Sequence, residues 1–280
     1  MLLLYCLLAG LLVAEARDLL VLTVATEKTA GYLRFERSCG VAELECRALG
    51  MGQEWQGGDM DFPGGGWKVN LLKAAMAELR QKEDTMVMFT DSYDVVLAAG
   101  KDAILAQYDK LGAQVLFGAE NFCWPDRSLA EKYPEVKDGM RFLNSGGFLA
   151  PAALLARMLE AGGELEDKED DQLFYTKIYL DPELRKAFGM KLDSRAELFQ
   201  NLNGESENIE LRFGEDQPYV LNLVYNSRPV VIHGNGPSKL LLSTLGNYLA
   251  DAWTQETGCL ACWDKTLVDI KSIVILIYIS

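Results

Sequence analysis

An alternation runs through residues 19–117 and limits the folds open to them. Short apolar runs of β type at 19–26, 44–49, 85–90 and 114–117 are separated by helical stretches at 28–40, 68–82 and 101–111. Successive strands joined by helices of that length pair in parallel, because a parallel connection needs a crossover. The stretch 68–82 shows helical spacing directly, with Val69, Leu72, Met76 and Leu79 on one face. The fold class that follows is α/β with a parallel-cored, Rossmann-like sheet. A chain of 280 residues, 49% hydrophobic and 24% charged, is long enough for one such domain with a sizeable core.

Between these elements, 50–66 carries seven glycines, one proline and Trp55, which reads as a mobile loop. The second half is less regular. A strand-like run at 141–149 contains N-S-G-G, a helix is expected at 170–180, and a late strand at 229–233 runs into G-N-G-P. The acidic run at 164–171 is not a linker, and no internal repeat is present.

The strand at 85–90, T-M-V-M-F-T, is followed at once by Asp91-Ser92-Tyr93-Asp94. In open α/β sheets ligands bind just beyond the carboxyl ends of the strands. Two carboxylates three residues apart at such an end can face one hard divalent cation. On spacing alone, Asp91 is more often a turn or helix cap. His233, the only histidine, also ends a strand and abuts a glycine-rich turn. A lone histidine is usually structural, but two carboxylates and an imidazole suit Mn²⁺ with positions left for phosphate oxygens.

Other segments carry weaker signals. G-N-G-P-S-K at 234–239 could bring backbone N–H groups and Lys239 to phosphates, although it lacks P-loop spacing. Gly64-Gly65-Gly66-Trp67-Lys68 leads into a helix N-terminus, which suits an anion or serves as a turn. Tyr93 either stacks on a base or packs, and Trp124 is either a sugar platform or buried. Asp170 and Asp171 either cap a helix or contact sugar hydroxyls, one of them as a general base.

Residues 1–13 are mostly leucine without charge, and Ala14-Glu15-Ala16 offers a cleavage site, so 1–16 reads as a secretory signal peptide. The run is too short for a transmembrane span, and none is expected. Secretion permits disulfides among Cys39, Cys46, Cys123, Cys259 and Cys262, and the odd count leaves one over. Cys259 and Cys262 read as a local disulfide, and 263–280 as an atypical apolar tail. The net charge of −14 repels a phosphate backbone, so nucleic acid is not an expected partner. It suits a cation or a basic protein substrate.

Several segments together resemble the procollagen lysyl hydroxylases: L-V-L-T-V-A-T at 20–26, F-T-D-S-Y-D-V at 89–95, F-C-W-P at 122–125 and R-F-L-N-S-G-G-F at 141–148. D-D-Q-L-F-Y-T-K at 170–177, F-Q-N-L-N-G at 199–204 and H-G-N-G-P-S-K at 233–239 extend the match. The resemblance is to their amino-terminal glycosyltransferase domain and covers 19–262. It implies a GT-A-type, Rossmann-like domain with a mixed central sheet over 17–262, in the endoplasmic reticulum lumen or secreted. It implies Mn²⁺ as cofactor, a UDP-sugar as donor and a collagen or procollagen hydroxylysine acceptor. The activity implied is transfer of galactose to hydroxylysine and of glucose to galactosyl-hydroxylysine; homo-oligomerisation stays open.

By motif, the resemblance assigns Asp91, Asp94 and His233 to the metal. It assigns Val24, Thr26, Lys68, Ser92, Tyr93, Gly236, Pro237, Ser238 and Lys239 to the UDP site. Trp124, Asn144, Asp170, Asp171 and Asn235 face the sugar or acceptor. Trp67 stands where the family carries glutamine, and Arg127 where the member it most resembles carries an aromatic residue. The match stops before the family's accessory and dioxygenase domains, and one histidine cannot make a 2-His-1-carboxylate iron site, so lysine hydroxylation is not expected. Two rival readings are a catalytically weak UDP-sugar- or collagen-binding module and a sugar-nucleotide pyrophosphorylase or phosphatase.

Overall fold

A computed structural model describes residues 17–59, 62–82, 84–214 and 217–250. The signal segment, Cys259, Cys262 and the apolar tail lie outside the described residues. In chain order the elements begin β1 (Asp18–Val24), α1 (Ala30–Val41), β2 (Glu45–Leu49), α2 (Gly66–Leu79), β3 (Thr85–Thr90) and β4 (Val95–Leu97). They continue α3 (Lys101–Leu111), β5 (Val115–Glu120), β6 (Phe142–Pro151), α4 (Ala152–Ala161), α5 (Asp171–Leu180), α6 (Pro182–Ala187) and β7 (Met190–Asp193). The chain closes with β8 (Phe199–Asn201), β9 (Ile209–Phe213), β10 (Pro218–Asn222), β11 (Val231–His233) and α7 (Lys239–Leu249).

The main sheet has the order β2-β1-β3-β6-β5-β7. β1 pairs in parallel with β2 and β3, and β5 in parallel with β7. β6 lies antiparallel between β3 and β5. The parallel core expected from the alternation is therefore interrupted, and the sheet is mixed. Apolar periodicity fixes which face a residue takes but not the direction in which its strand runs.

Both faces of the sheet are covered, which is why its inner strands read as unbroken apolar runs. Leu20, Leu22, Val24, Val87 and Phe89 pack with residues of α2, α4 and α5. Leu19, Val21, Met86 and Met88 pack on the other face with residues of α1 and α3. A smaller sheet, β4-β11-β8, carries its own apolar cluster with α7.

The pairing of β5 with β6 shifts register between Phe117 and Gly118. Phe117 faces Phe148, yet Gly118 faces Asn144, so residues 145–147 form a bulge on β6. N-S-G-G is this bulge, and it re-aims Asn144 and Ser145 at the end of the sheet where β1, β3 and β5 finish.

Local signals explain several boundaries. The Thr29 hydroxyl accepts from the Tyr32 amide to cap α1. Asp170, read as either a helix cap or a sugar contact, is the N-cap of α5, its carboxylate accepting from the Leu173 amide at 2.7 Å, so the helix begins one residue later than expected. Cys39 and Cys46 form a disulfide joining the end of α1 to β2, and Cys123 is free. The buried Asp193 accepts from the amides of Glu197, Leu198 and Phe199, holding the turn into β8. Among the described residues no helix is long and apolar enough to cross a membrane.

Candidate active site

Asp91 begins the turn between β3 and β4, and three neighbouring strands grip that turn. The Asp91 amide donates to Gly146 O at 3.0 Å, and Ser92 Oγ donates to Val24 O at 3.2 Å. The Gly234 amide donates to Asp94 O at 2.8 Å, and an Arg34 nitrogen reaches Tyr93 O at 3.3 Å. The carboxylates are thus placed by backbone bonds to β1, the β6 bulge and the end of β11.

His233, the last residue of β11, completes the group. Asn201 Nδ2 donates to Ala119 O at 2.8 Å, which turns Asn201 Oδ1 toward His233 Nδ1 at 2.8 Å. An amide oxygen only accepts, so Nδ1 carries a proton, and in the neutral ring Nε2 presents the lone pair. Nε2 lies 3.7 Å from Asp91 Oδ2 and 3.7 Å from Asp94 Oδ1. One ligand atom from each of Asp91, Asp94 and His233 lies within 4.8 Å of the others. Gly146 is required for this approach, because a Cβ there would sit 2.1 Å from His233 Cε1. A fixed imidazole lone pair converging with two carboxylate oxygens fits a divalent cation of the Mg²⁺ or Mn²⁺ kind.

Two lysines border the group. Lys68 Nζ lies 3.0 Å from Asp91 Oδ1 and 2.6 Å from Asp171 Oδ2, and Lys239 Nζ lies 3.7 Å from Asp94 Oδ2. Burial pushes the Asp91 carboxyl up, but the Lys68 charge and hydrogen bond, with the charges of His233 and Lys239, together outweigh it and hold Asp91 below the usual carboxylate range. Burial raises Asp171 despite the same ammonium, and lowers Lys68 less than its two carboxylates raise it. Burial pushes Asp170 up to about 6.

Beside this group opens a cleft of about 480 Å³. Of the residues expected at the site, Lys68, Asp91, Asp94, Trp124, Asn144, Asp171, His233, Asn235, Gly236 and Lys239 line it. Val24, Thr26, Ser92, Tyr93, Asp170, Pro237 and Ser238 do not. Val24 and Ser92 are buried supports, while the Tyr93 hydroxyl accepts from the Thr26 amide at 2.9 Å and ties the turn to the end of β1. Trp124 is 49% exposed and Phe122 48%, so the tryptophan is a surface at the cleft and not a core residue.

From Gly65 to Lys68 the glycine-rich segment does not offer free amides to an anion, and the Gly65 amide donates to Gly57 O at 2.8 Å. The Gly66 amide donates to Glu169 O at 2.7 Å, the Trp67 amide to Asp167 O at 2.9 Å, and the Asp171 amide to Gly64 O at 3.0 Å. A Cβ on Gly66 would meet Glu166 O at 2.2 Å. The loop expected to be mobile is, over these residues, hydrogen-bonded along the acidic run.

Glu120 was not anticipated. It ends β5, lines the cleft, and accepts from Asn144 Nδ2 at 2.9 Å, Gln172 Nε2 at 2.9 Å and Asn235 Nδ2 at 3.1 Å. Burial raises its carboxyl in spite of these donors. The run V-L-F-G-A-E carries the same signal as T-M-V-M-F-T-D, an acidic residue closing an apolar strand, and could have exposed it. Arg127 also lines the cleft.

The fold is a mixed α/β sheet with an acidic, histidine-bearing cleft at its strand ends, and the family it belongs to is that of a glycosyltransferase domain. The PLOD GT domain model matches residues 15–259, and the chain belongs to that family. It is 47% identical over 245 residues to human "Multifunctional procollagen lysine hydroxylase and glycosyltransferase LH3", covering 87% of this chain and 33% of that protein. It is 47% identical over 280 residues to bovine "Procollagen-lysine,2-oxoglutarate 5-dioxygenase 1", covering 98% and 38% respectively. The chain therefore spans about a third of the length of these relatives. A solved glycosyltransferase "involved in the glycosylation of the major capsid of PBCV-1" is a loose likeness, with TM-score 0.46 and 10% identity over 81% of this chain and 98% of that one.

Proposed function

We propose that this chain is a Mn²⁺-dependent glycosyltransferase that moves a hexose from a UDP-sugar to hydroxylysine or galactosyl-hydroxylysine of collagen, in the secretory pathway. Membership of the PLOD GT domain family supports the reaction class. The observation that carries the site is the convergence of Asp91, Asp94 and the lone-pair nitrogen of His233 at the strand ends.

Asp91, Asp94 and His233 would hold Mn²⁺, which when bound supplies Lewis-acid stabilisation of the diphosphate leaving group. Lys239, exposed at the rim, neutralises the departing phosphate charge. Asp171 is the acceptor-side carboxylate of the cleft, paired with Lys68 and placed to accept from an acceptor hydroxyl. Asp170 positions Asp171 by capping α5 and does not itself face the cleft. Glu120 sets the orientation of the Asn144 and Asn235 amides, which fixes the polar wall met by the sugar. Trp124 supplies an apolar face for it.

The test is UDP release by the purified chain with Mn²⁺, UDP-glucose or UDP-galactose, and a hydroxylysine or galactosyl-hydroxylysine collagen peptide. Peptide-dependent release that an Asp91→Ala, Asp94→Ala variant lacks is expected, and the better donor names the transfer. Mn²⁺-dependent UDP binding without release would make the chain a binding module. Release of a sugar phosphate or free phosphate in place of UDP would make it a pyrophosphorylase or phosphatase.

A further inference from the structure

Each carboxylate of the candidate metal group divides its oxygens between the imidazole and a lysine. Asp91 turns Oδ2 to His233 and Oδ1 to Lys68, and Asp94 turns Oδ1 to His233 and Oδ2 to Lys239. The two lysines differ. The Lys239 side chain is 67% exposed, whereas that of Lys68 is 14% exposed and is clamped a second time by Asp171. Lys68 is therefore a fixed positive charge in contact with a metal ligand, where solvent screening is weak.

A fixed ammonium in that place does two opposing things to a divalent cation. It orients the carboxylate, and it repels the ion. The backbone that carries the Asp91 carboxylate is anchored independently of Lys68, since its amide is bonded to Gly146 O and the adjacent Ser92 is bonded to Val24 O. Repulsion is then the larger effect. The ion-pair chain of Asp91, Asp94, Asp171, Lys68 and Lys239 carries one formal negative charge. A divalent cation reverses its sign, and a diphosphate restores it.

We propose that Lys68 is an internal counter-cation that competes with the metal for Asp91, so that Mn²⁺ binds tightly only together with a nucleoside diphosphate. The proposal rests on the metal site given under Proposed function. Removing the charge of Lys68 should therefore strengthen the binding of Mn²⁺ alone, whereas a merely structural lysine would weaken it when lost.

The experiment titrates the purified chain with Mn²⁺, with and without UDP, following free Mn²⁺ by electron paramagnetic resonance. Without UDP, Lys68→Met and Lys68→Gln should bind Mn²⁺ about tenfold or more tighter than wild type. Lys68→Arg should stay near wild type, and UDP should strengthen Mn²⁺ binding more in wild type than in either neutral variant. Equal or weaker binding by folded Lys68→Met and Lys68→Gln overturns the proposal. Wild-type Mn²⁺ affinity that UDP leaves unchanged overturns it without any variant. Failure of the site itself gives a different pattern: no Mn²⁺ binding by wild type, or binding that Asp94→Ala leaves intact.

Discussion

The imidazole of His233 donates through Nδ1 to Asn201 Oδ1 at 2.8 Å, and that contact decides which ring nitrogen faces Asp91 and Asp94. Asn201 is held in turn by its own donation to Ala119 O. Replacing Asn201 by leucine removes the acceptor and frees the ring to turn or to change tautomer. Mn²⁺ affinity is expected to fall about 10- to 100-fold. Asn201→Asp keeps an acceptor for Nδ1 but cannot donate to Ala119 O, so it should lose less affinity than the leucine variant without matching wild type. Mn²⁺ titration of the two variants checks this.

Gly146→Ala is expected to damage the same ring from the other side. The added Cβ would stand 2.1 Å from His233 Cε1, so either the bulge or the imidazole must move. A stability loss of about 1–3 kcal/mol is expected from the overpacking, with weakened Mn²⁺ binding. Urea unfolding and Mn²⁺ titration measure the two effects separately. Unchanged metal affinity would show that the bulge, and not the ring, yields.

The pH dependence of stability should carry a signature of Asp193. Burial pushes this carboxyl up to about 6, above the value near 3.9 of an unfolded chain. The folded protein then holds the proton more tightly, so protonation favours folding. The contribution is fully present below about pH 4 and is lost as pH rises through about 6, amounting to at most about 3 kcal/mol. Asp193→Asn should flatten this part of the profile. Urea midpoints of both proteins between pH 4 and 7 test it, and parallel profiles would refute it.

Reducing the bond between Cys39 and Cys46 should cost about 2 kcal/mol, the value expected for so short a closed loop. Because the bond ties α1 to the outer strand β2, Mn²⁺ affinity should not change with it. Thermal unfolding of Cys39→Ser against wild type, with metal titration alongside, checks both statements.

How far the sequence could be read follows from what sets each feature. Asp91, Asp94 and His233 were legible because a polar residue closing an apolar strand is a local signal, and sheet geometry sends strand ends to one place. The roles of Asn201 and Gln172 were not legible, because an amide network depends on the register of strands distant in sequence. The direction of β6 was invisible to periodicity, and with it the bulge that brings Asn144 beside Glu120. Asp170 and Asp171 could not be told apart until the helix start was fixed to the residue: one became the cap, the other the partner of Lys68.

The bonds between 64–67 and 167–171 have a consequence for how this chain tolerates change. Two loops a hundred residues apart are stitched edge to edge in antiparallel fashion, with Asp171 at one end of the seam and Lys68 just beyond the other, its ammonium reaching back to the Asp171 carboxylate. Adding or removing one residue in either loop slips the stitching by one position and draws the lysine off its partner. Length in the glycine-rich loop is therefore a setting that only a compensating change in the acidic loop can restore, so the two segments should be altered together.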